Sequence, residues 1–338
     1  YSNMLSDIFF KELNIRKPDY NLSIGSKKNE HFHQLSNLSI KIIELIRKKN
    51  IKPNCIIFLG DSNSVTASIS LKKEGFKVAH IEAGMRSYDK RMLEEINRII
   101  CDHCSDYNFV YHKDYKKNLV KENISSKNIF VVGNTIKEIA KEFVPPIIQK
   151  KKMNNFILAD IHRPENFKYK YRLKKIFMLL NKYSNNYKIP VYLIKFSRTI
   201  KMAKQYNLNY GNIKLIDLMS YKDFLKKQYH SYFLVSDSGT AQEEASLFNT
   251  PVITPRDFTE RPQSMAYNCS YLFNIDNINK SYKSSLEYIN KVKSLIFYYK
   301  KLKNWCMFNI WTIYIMKKID EKFEILRAID KKSNMTQR

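Results

Sequence analysis

Short apolar runs recur along this chain, each closed by glycine or a polar turn and followed by a stretch of helical periodicity. In the first half the pattern predicts a helix over Phe32 to Lys49, a strand over Cys55 to Leu59, a helix over Val65 to Glu74 and a strand over Lys77 to Ile81. It continues with a helix over Glu94 to His103, a strand over Tyr107 to Val110, a helix over Lys113 to Glu122 and a strand over Ile129 to Val132. Such alternation implies a parallel sheet covered by helices.

At Val144-Pro145-Pro146 and Lys150-Lys151-Lys152 the pattern breaks into a proline pair and a charge run, which marks a domain boundary. Beyond it, strands are predicted over Phe156 to Ala159, Val191 to Lys195, Ile213 to Ile216, Tyr232 to Val235 and Pro251 to Thr254, with helices between. The expected fold is α/β, with two Rossmann-like domains, residues 1–144 and 151–300, facing each other across a central cleft. Residues 301–338 read as a lysine-rich helical segment, and their most apolar stretch, Met307 to Met316, is too short to span a bilayer and reads as core.

Glycine is scarce, seven in 338 residues, against a usual share of roughly 7%. Four of the seven, Gly60, Gly84, Gly133 and Gly239, close strands, with Asp61, Glu82, Asn134 and Ser238 beside them. In an open α/β sheet the crevice beyond the strands' carboxyl ends is where ligands bind. The net charge of +27 would suit nucleic acid, but lysines are scattered over every predicted helix, and the enriched Lys, Asn, Ile, Tyr and Phe have A/T-rich codons. Composition accounts for the charge, and nucleic acid is not the expected partner. Five cysteines at irregular spacing argue for a reducing compartment, with the cytoplasm expected.

The segment SYFLVSDSGTAQEEASLF carries the clearest chemistry. A strand runs into the turn Ser238-Gly239-Thr240 and then into a helix expected from Gln242, whose free N–H groups would receive a phosphate. Glu243 and Glu244 in that first turn would suit ribose hydroxyls, which points to a nucleotide sugar. Asp61 reads equally as a capping residue or a ligand group. Glu82 at a strand mouth needs a partner, for which Arg86 is the candidate. Glu94 in a helix's first turn is by itself an ordinary dipole complement, yet the topology brings Asp61, Glu82 and Glu94 to one cleft, where acids in different surroundings supply both a base and an acid.

His162 and Arg163 follow the second domain's first strand as ligand contacts, and Arg256 and Arg261 beyond PVIT are placed to pair with phosphate. Cys101-Asp102-His103-Cys104 lacks a second ligand pair and reads as core, so no metal is expected. The absence of G-x-G-x-x-G and of a Walker lysine removes support for a nicotinamide cofactor or a P-loop.

With GDSNSV, HIEAGMRS, EEINR, GNT, HRPEN, SDSGTAQEE and RDFTERP in this order, from about Met4 to Asn274, the chain resembles the non-hydrolysing UDP-N-acetylglucosamine 2-epimerase family. The resemblance implies a GT-B-like fold, a UDP-HexNAc substrate, no metal or nicotinamide, and homodimers. It implies inversion of the N-acetyl-bearing carbon by elimination and re-addition of UDP. Asp61, Glu82 and Glu94 match the family's proton-transfer acids, His162 its histidine at the phosphate end, and Ser238, Gly239 and Glu244 its contacts to phosphate and ribose. Arg86, Asn134, Arg163, Thr240 and Arg261 complete the expected substrate contacts. A GT-B glycosyltransferase using a UDP-sugar is the alternative.

Departures from the family pattern include Lys195-Phe196-Ser197-Arg198 where its regulatory site has a histidine, Leu93 before EEINR, and Gln263 after TERP. The segment RSYDKRMLEEINR is similar to relatives acting on 6-deoxy or 2,3-diacetamido UDP-sugars. The opening YSNMLSDIFFKELNI is similar to the family's helix after its second strand, so the first strand, its arginine-bearing turn and the second strand are expected upstream.

Overall fold

The computed structural model describes residues 10–24 apart from 11 and 17, 31–136, 138, 142–144 and 153–294. The proline pair, the lysine run, the segment 301–338 and Met307 to Met316 lie outside them. Contacts group the chain into two units. One comprises the described parts of Ser26–Met85 and Lys90–Glu138; the other comprises those of Tyr1–Gly25, Arg86–Asp89 and Ile139–Leu302.

The first unit runs α1 (His31–Lys48), β1 (Ile56–Leu59), a 3-10 turn (Asn63–Ala67) continuing into α2 (Ser68–Lys73), β2 (Val78–Ile81), α3 (Leu93–Cys104), β3 (Tyr107–Val110), α4 (Lys113–Lys121) and β4 (Ile129–Val131). The four strands are parallel in the order β1-β2-β3-β4. Leu59 pairs with Ile81, so β1 and β2 end level and the residues that follow them, Asp61 and Glu82, emerge at one edge. Ala83, Met85, Val110, Tyr115, Leu119 and Ile129 pack beneath that edge.

The second unit runs β5 (Ile157–Asp160), α5 (Pro164–Phe167), α6 (Lys170–Tyr187), β6 (Val191–Ile194), α7 (Ser197–Gln205), β7 (Ile213–Ile216), α8 (Tyr221–His230), β8 (Leu234–Ser236), α9 (Gly239–Glu244), β9 (Val252–Thr254), α10 (Pro262–Ala266), β10 (Tyr271–Leu272) and α11 (Ile278–Ser294). Its parallel sheet has the order β10-β9-β8-β5-β6-β7, the doubly wound arrangement of dinucleotide-binding folds. The order reverses between β5 and β8, and in sheets of this kind ligands bind outside the carboxyl ends of the strands at that point. Leu173, Ile176, Phe177, Leu180 and Tyr183 of α6, spaced three and four apart, cover one face of the sheet together with Ile289 and Val292 of α11.

Two details differ from expectation. The helix after β8 begins at Gly239 rather than Gln242, because the Ser238 hydroxyl caps it by accepting from the Ala241 N–H; Glu243 and Glu244 therefore end the helix instead of opening it. The strand β10 is only two residues long and gave no periodic signal. Glycine scarcity is met elsewhere by asparagine. Asn50, Asn123, Asn207, Asn249 and Asn268 each adopt the left-handed conformation just past a helical segment. In each case the next residue's N–H bonds back five positions, Ile51 to Ile46, Ile124 to Leu119, Leu208 to Ala203, Thr250 to Ala245 and Cys269 to Ser264, the helix-ending motif that usually recruits glycine.

Candidate functional site

The first unit's site is organised by α3, which turns its polar side inward. Leu93 and Ile96 are 50% and 41% exposed, whereas Arg98 and Asp102 are 1% and 0% exposed. Arg98 Nη2 lies 2.6 Å from Asp61 Oδ2 and 3.9 Å from Glu82 Oε2, so one buried guanidinium faces both carboxylates. Asp61 is not the capping residue it resembled in sequence; Ser62 takes that position, and Asp61 is held by an ion pair instead. The guanidinium the structure sets facing Glu82 is that of Arg98; the expected candidate, Arg86, is itself buried.

Glu82 has φ of +75°, a region that costs a non-glycine residue on the order of 1–3 kcal/mol and marks a backbone held for a purpose. Gly84 shares that sign of φ, and a Cβ on it would come 2.5 Å from the Tyr115 carbonyl oxygen. Glu94 is half-buried in the first turn of α3 and sits four residues before Arg98, on the same helical face. Asn97 Nδ2 donates to the Asp61 carbonyl at 3.0 Å, fixing the loop that bears Asp61.

Beneath these acids lies a pair that no local pattern singles out. His80, fully buried in β2, has Nδ1 2.6 Å from Asp102 Oδ1 and Nε2 2.7 Å from the Gly60 carbonyl oxygen. Burial works to lower the His80 pKa, but Asp102, helped by Cys101, outweighs it and raises it to about 10. Asp102 Oδ2 also accepts from the Gly84 N–H at 3.1 Å. The Cys-Asp-His-Cys run thus resolves into an Asp102–His80 pair and a His103–Glu122 contact of 3.3 Å. Charged residues at 94, 98 and 102, four apart and so on one face of the helix, were the available sequence signal.

The second unit's site lies at the switch point. His162 Nδ1 is 2.8 Å from Asp160 Oδ1 and 3.3 Å from Asp237 Oδ1. Burial would lower the His162 pKa, yet the two carboxylates raise it to about 9, so the ring is a cation at neutral pH with 32% of its side chain exposed. Asp160, His162 and Asp237 offer ligand atoms within 4.8 Å of one another. Their oxygens are already engaged, Asp237 by the His162 and Arg163 N–H groups and Asn166 Nδ2, Asp160 by His162 and Ser236. The chemistry is that of an anchored imidazolium rather than a metal site.

The arginines expected to reach phosphate have carboxylate partners. Arg261 Nε lies 3.0 Å from Glu243 and its Nη1 contacts Glu260, which also takes Arg256 Nη1 at 3.3 Å; Arg256 Nε lies 3.4 Å from Glu165. Arg256 is fully buried and Arg261 nearly so. Gly239 leans on this network, and a Cβ there would collide with the Arg261 guanidinium and come 2.7 Å from Glu260.

Glu244 is buried and accepts from the Tyr221 hydroxyl at 2.7 Å and Gln228 Nε2 at 2.8 Å. Burial pushes its pKa up to about 7 against the lowering effect of those two donors. Thr240 is exposed, and Asn134 accepts from the Ile136 N–H at 3.0 Å in a local turn. A groove of about 530 Å³ lined by Ser184, Lys188, Gly211 and Lys214 sits at the amino ends of β6 and β7, away from this chemistry.

A sequence model of the UDP-N-acetylglucosamine 2-epimerase family matches residues 1–301. The chain is 36% identical over 295 residues to a UDP-N-acetylglucosamine 2-epimerase of Methanococcus maripaludis, covering 82% of this chain and 80% of that one. It is 35% identical over 262 residues to a UDP-2,3-diacetamido-2,3-dideoxy-D-glucuronate 2-epimerase of Pseudomonas aeruginosa, covering 76% and 72%. Among solved structures, the UDP-GlcNAc 2-epimerase of Methanocaldococcus jannaschii in complex with UDP-GlcNAc and UDP matches with a TM-score of 0.76 at 34% identity, covering 84% of this chain and 80% of that one.

Proposed function

Since the chain belongs to the UDP-N-acetylglucosamine 2-epimerase family, we propose that it inverts the N-acetyl-bearing carbon of a UDP-HexNAc, acting as an isomerase. The observation that carries this is the pair of carboxylates, Asp61 and Glu82, served by one buried guanidinium at the level carboxyl ends of β1 and β2. One carboxylate removes the proton at C2, the C1–O bond breaks, and UDP departs as an anion, leaving a C1–C2 double bond. A protonated acid then delivers a proton to the opposite face of C2 as the diphosphate oxygen re-adds to C1. Nothing is oxidised or reduced, and the atoms balance. Two acids in different surroundings suit this exchange of roles, with Glu94 as the third member.

The His162 imidazolium suits the negative charge that develops on the departing diphosphate. Arg163, Ser238, Gly239 and Thr240 complete the phosphate end. Glu244 takes the ribose hydroxyls by exchanging its internal donors for them, and Arg261 supports the turn through Gly239. Arg86 and Asn134 complete the substrate contacts. The relatives' names favour an epimerase over the glycosyltransferase alternative, and the diacetamido relative makes a modified hexosamine the second substrate to try.

A UDP-ManNAc-type product would feed glycan assembly; we place the reaction in the cytoplasm on the cysteine pattern and expect a dimer on the family resemblance. The deciding experiment incubates the protein with UDP-GlcNAc alone in D2O and follows C2 by NMR. Conversion to the manno form with deuterium at C2 and no acceptor is expected. No conversion of UDP-GlcNAc or of a UDP-diacetamido sugar would refute the proposal.

A further inference from the structure

The mechanism above leaves one buried ionic pair without a task. His80 and Asp102 are both fully buried, where an ion pair commonly stabilises a fold no better than well-packed apolar side chains. Val78 and Ala79 fill the same strand with apolar groups. The pair's outer bonds explain its place. His80 Nε2 reaches the Gly60 carbonyl at 2.7 Å, and Gly60 precedes Asp61. Asp102 Oδ2 accepts from the Gly84 N–H at 3.1 Å, and Gly84 lies two residues beyond Glu82. Three bonds through two side chains, with Nδ1 to Oδ1 at 2.6 Å in the middle, therefore tie the Asp61 loop to the Glu82 loop. The same helix closes the circuit one turn earlier, where Arg98 faces both carboxylates.

We propose that His80 and Asp102 are positioning residues that set the spacing and aim of Asp61 and Glu82. The proposal rests on reading those two carboxylates as catalytic. Both ring nitrogens of His80 must donate, one to a carbonyl that can only accept and one to a carboxylate, so no neutral tautomer spans the gap.

The test is His80→Asn, which keeps a donor toward Asp102 but is too short for Gly60. In folded protein kcat should fall about 100-fold, the scale of a 1 Å misplacement, with UDP affinity in calorimetry within about 2-fold of the parent. On a Glu82→Gln background the same change should cost less than about 3-fold, since its effect runs through the loops already impaired. A folded His80→Asn with parental kcat would overturn the proposal, as would an undiminished 100-fold loss on the Glu82→Gln background. Unchanged kcat in Glu82→Gln itself would overturn the reading of the acids and the proposal with it, whereas an inactive Glu82→Gln beside a normal His80→Asn sinks the positioning role alone. Should His80→Asn fail to fold, nitrogen NMR on otherwise intact His162→Asn protein decides. One imidazole keeping both ring protons at pH 8 is expected, and a neutral His80 ring would overturn the bridge.

Discussion

Glu244 should make the protein measurably less stable as pH rises through neutrality. Its carboxyl moves from an ordinary 4.5 to about 7 on folding, and because the folded form holds the proton more tightly, the associated stability is full below about pH 4.5 and is lost as pH climbs through 7. The shift corresponds to roughly 3 kcal/mol at 1.36 kcal/mol per tenfold change. Glu244→Gln is the perturbation, since a glutamine carbonyl still accepts from the Tyr221 hydroxyl. The buried Gln228 Oε1 has no partner and can turn to receive the new amide. His80 and His162, whose pKa values are raised, lose stability as pH rises above about 6.5 and toward their folded values, and this slope is common to both proteins. Denaturant unfolding of parent and variant from pH 5 to 8.5 isolates the difference. The gap should swing by roughly 3 kcal/mol in the variant's favour at the alkaline end. Parallel curves would refute the buried, proton-holding environment assigned to Glu244.

Three further outcomes are expected. If ribose hydroxyls prefer the Glu244 carboxylate, UDP binding should release a proton near pH 7, seen in calorimetry as a heat that varies with the buffer's ionisation enthalpy and vanishes in Glu244→Gln. Glu82→Gln should lower turnover by a factor of about 100 or more while UDP still binds; near-normal turnover would remove it from the mechanism. Gly239→Ala should destabilise the second unit by roughly 1–3 kcal/mol, because its Cβ would meet the Arg261 and Glu260 side chains, and a melting temperature equal to the parent's would contradict that packing.

What was legible in the sequence depended on how local its cause was. Apolar runs fixed the strands to within a residue or two, since each run needs only its own composition to be recognised. The acids Asp61 and Glu82 stood out because a glycine and a strand end flank them. Their partner Arg98 did not, because it lies 37 residues from Asp61 and becomes a neighbour only when α3 packs on the sheet. His80 was hidden by its apolar strand, and the early start of α9 by Gly239 and Thr240, poor helix formers that Ser238 overrules as a cap. The arginines of TPRDFTERP looked like phosphate ligands because sequence does not reveal which carboxylates fold back onto them.

The five asparagines that end helical segments bear on how this sequence came to look as it does. Pressure toward A/T-rich codons removes glycine, whose codons begin GG, and supplies asparagine, whose codons begin AA. Few substitutions could satisfy both the nucleotide bias and a left-handed backbone, and asparagine is the side chain that tolerates that conformation best. Drift could therefore run far at helix ends without breaking the fold. At Gly84 the same exchange meets backbone, since an added Cβ would come 2.5 Å from the Tyr115 carbonyl oxygen. Gly84 is thus held by steric necessity, whereas Gly75, with open space around it, is held only by its left-handed backbone.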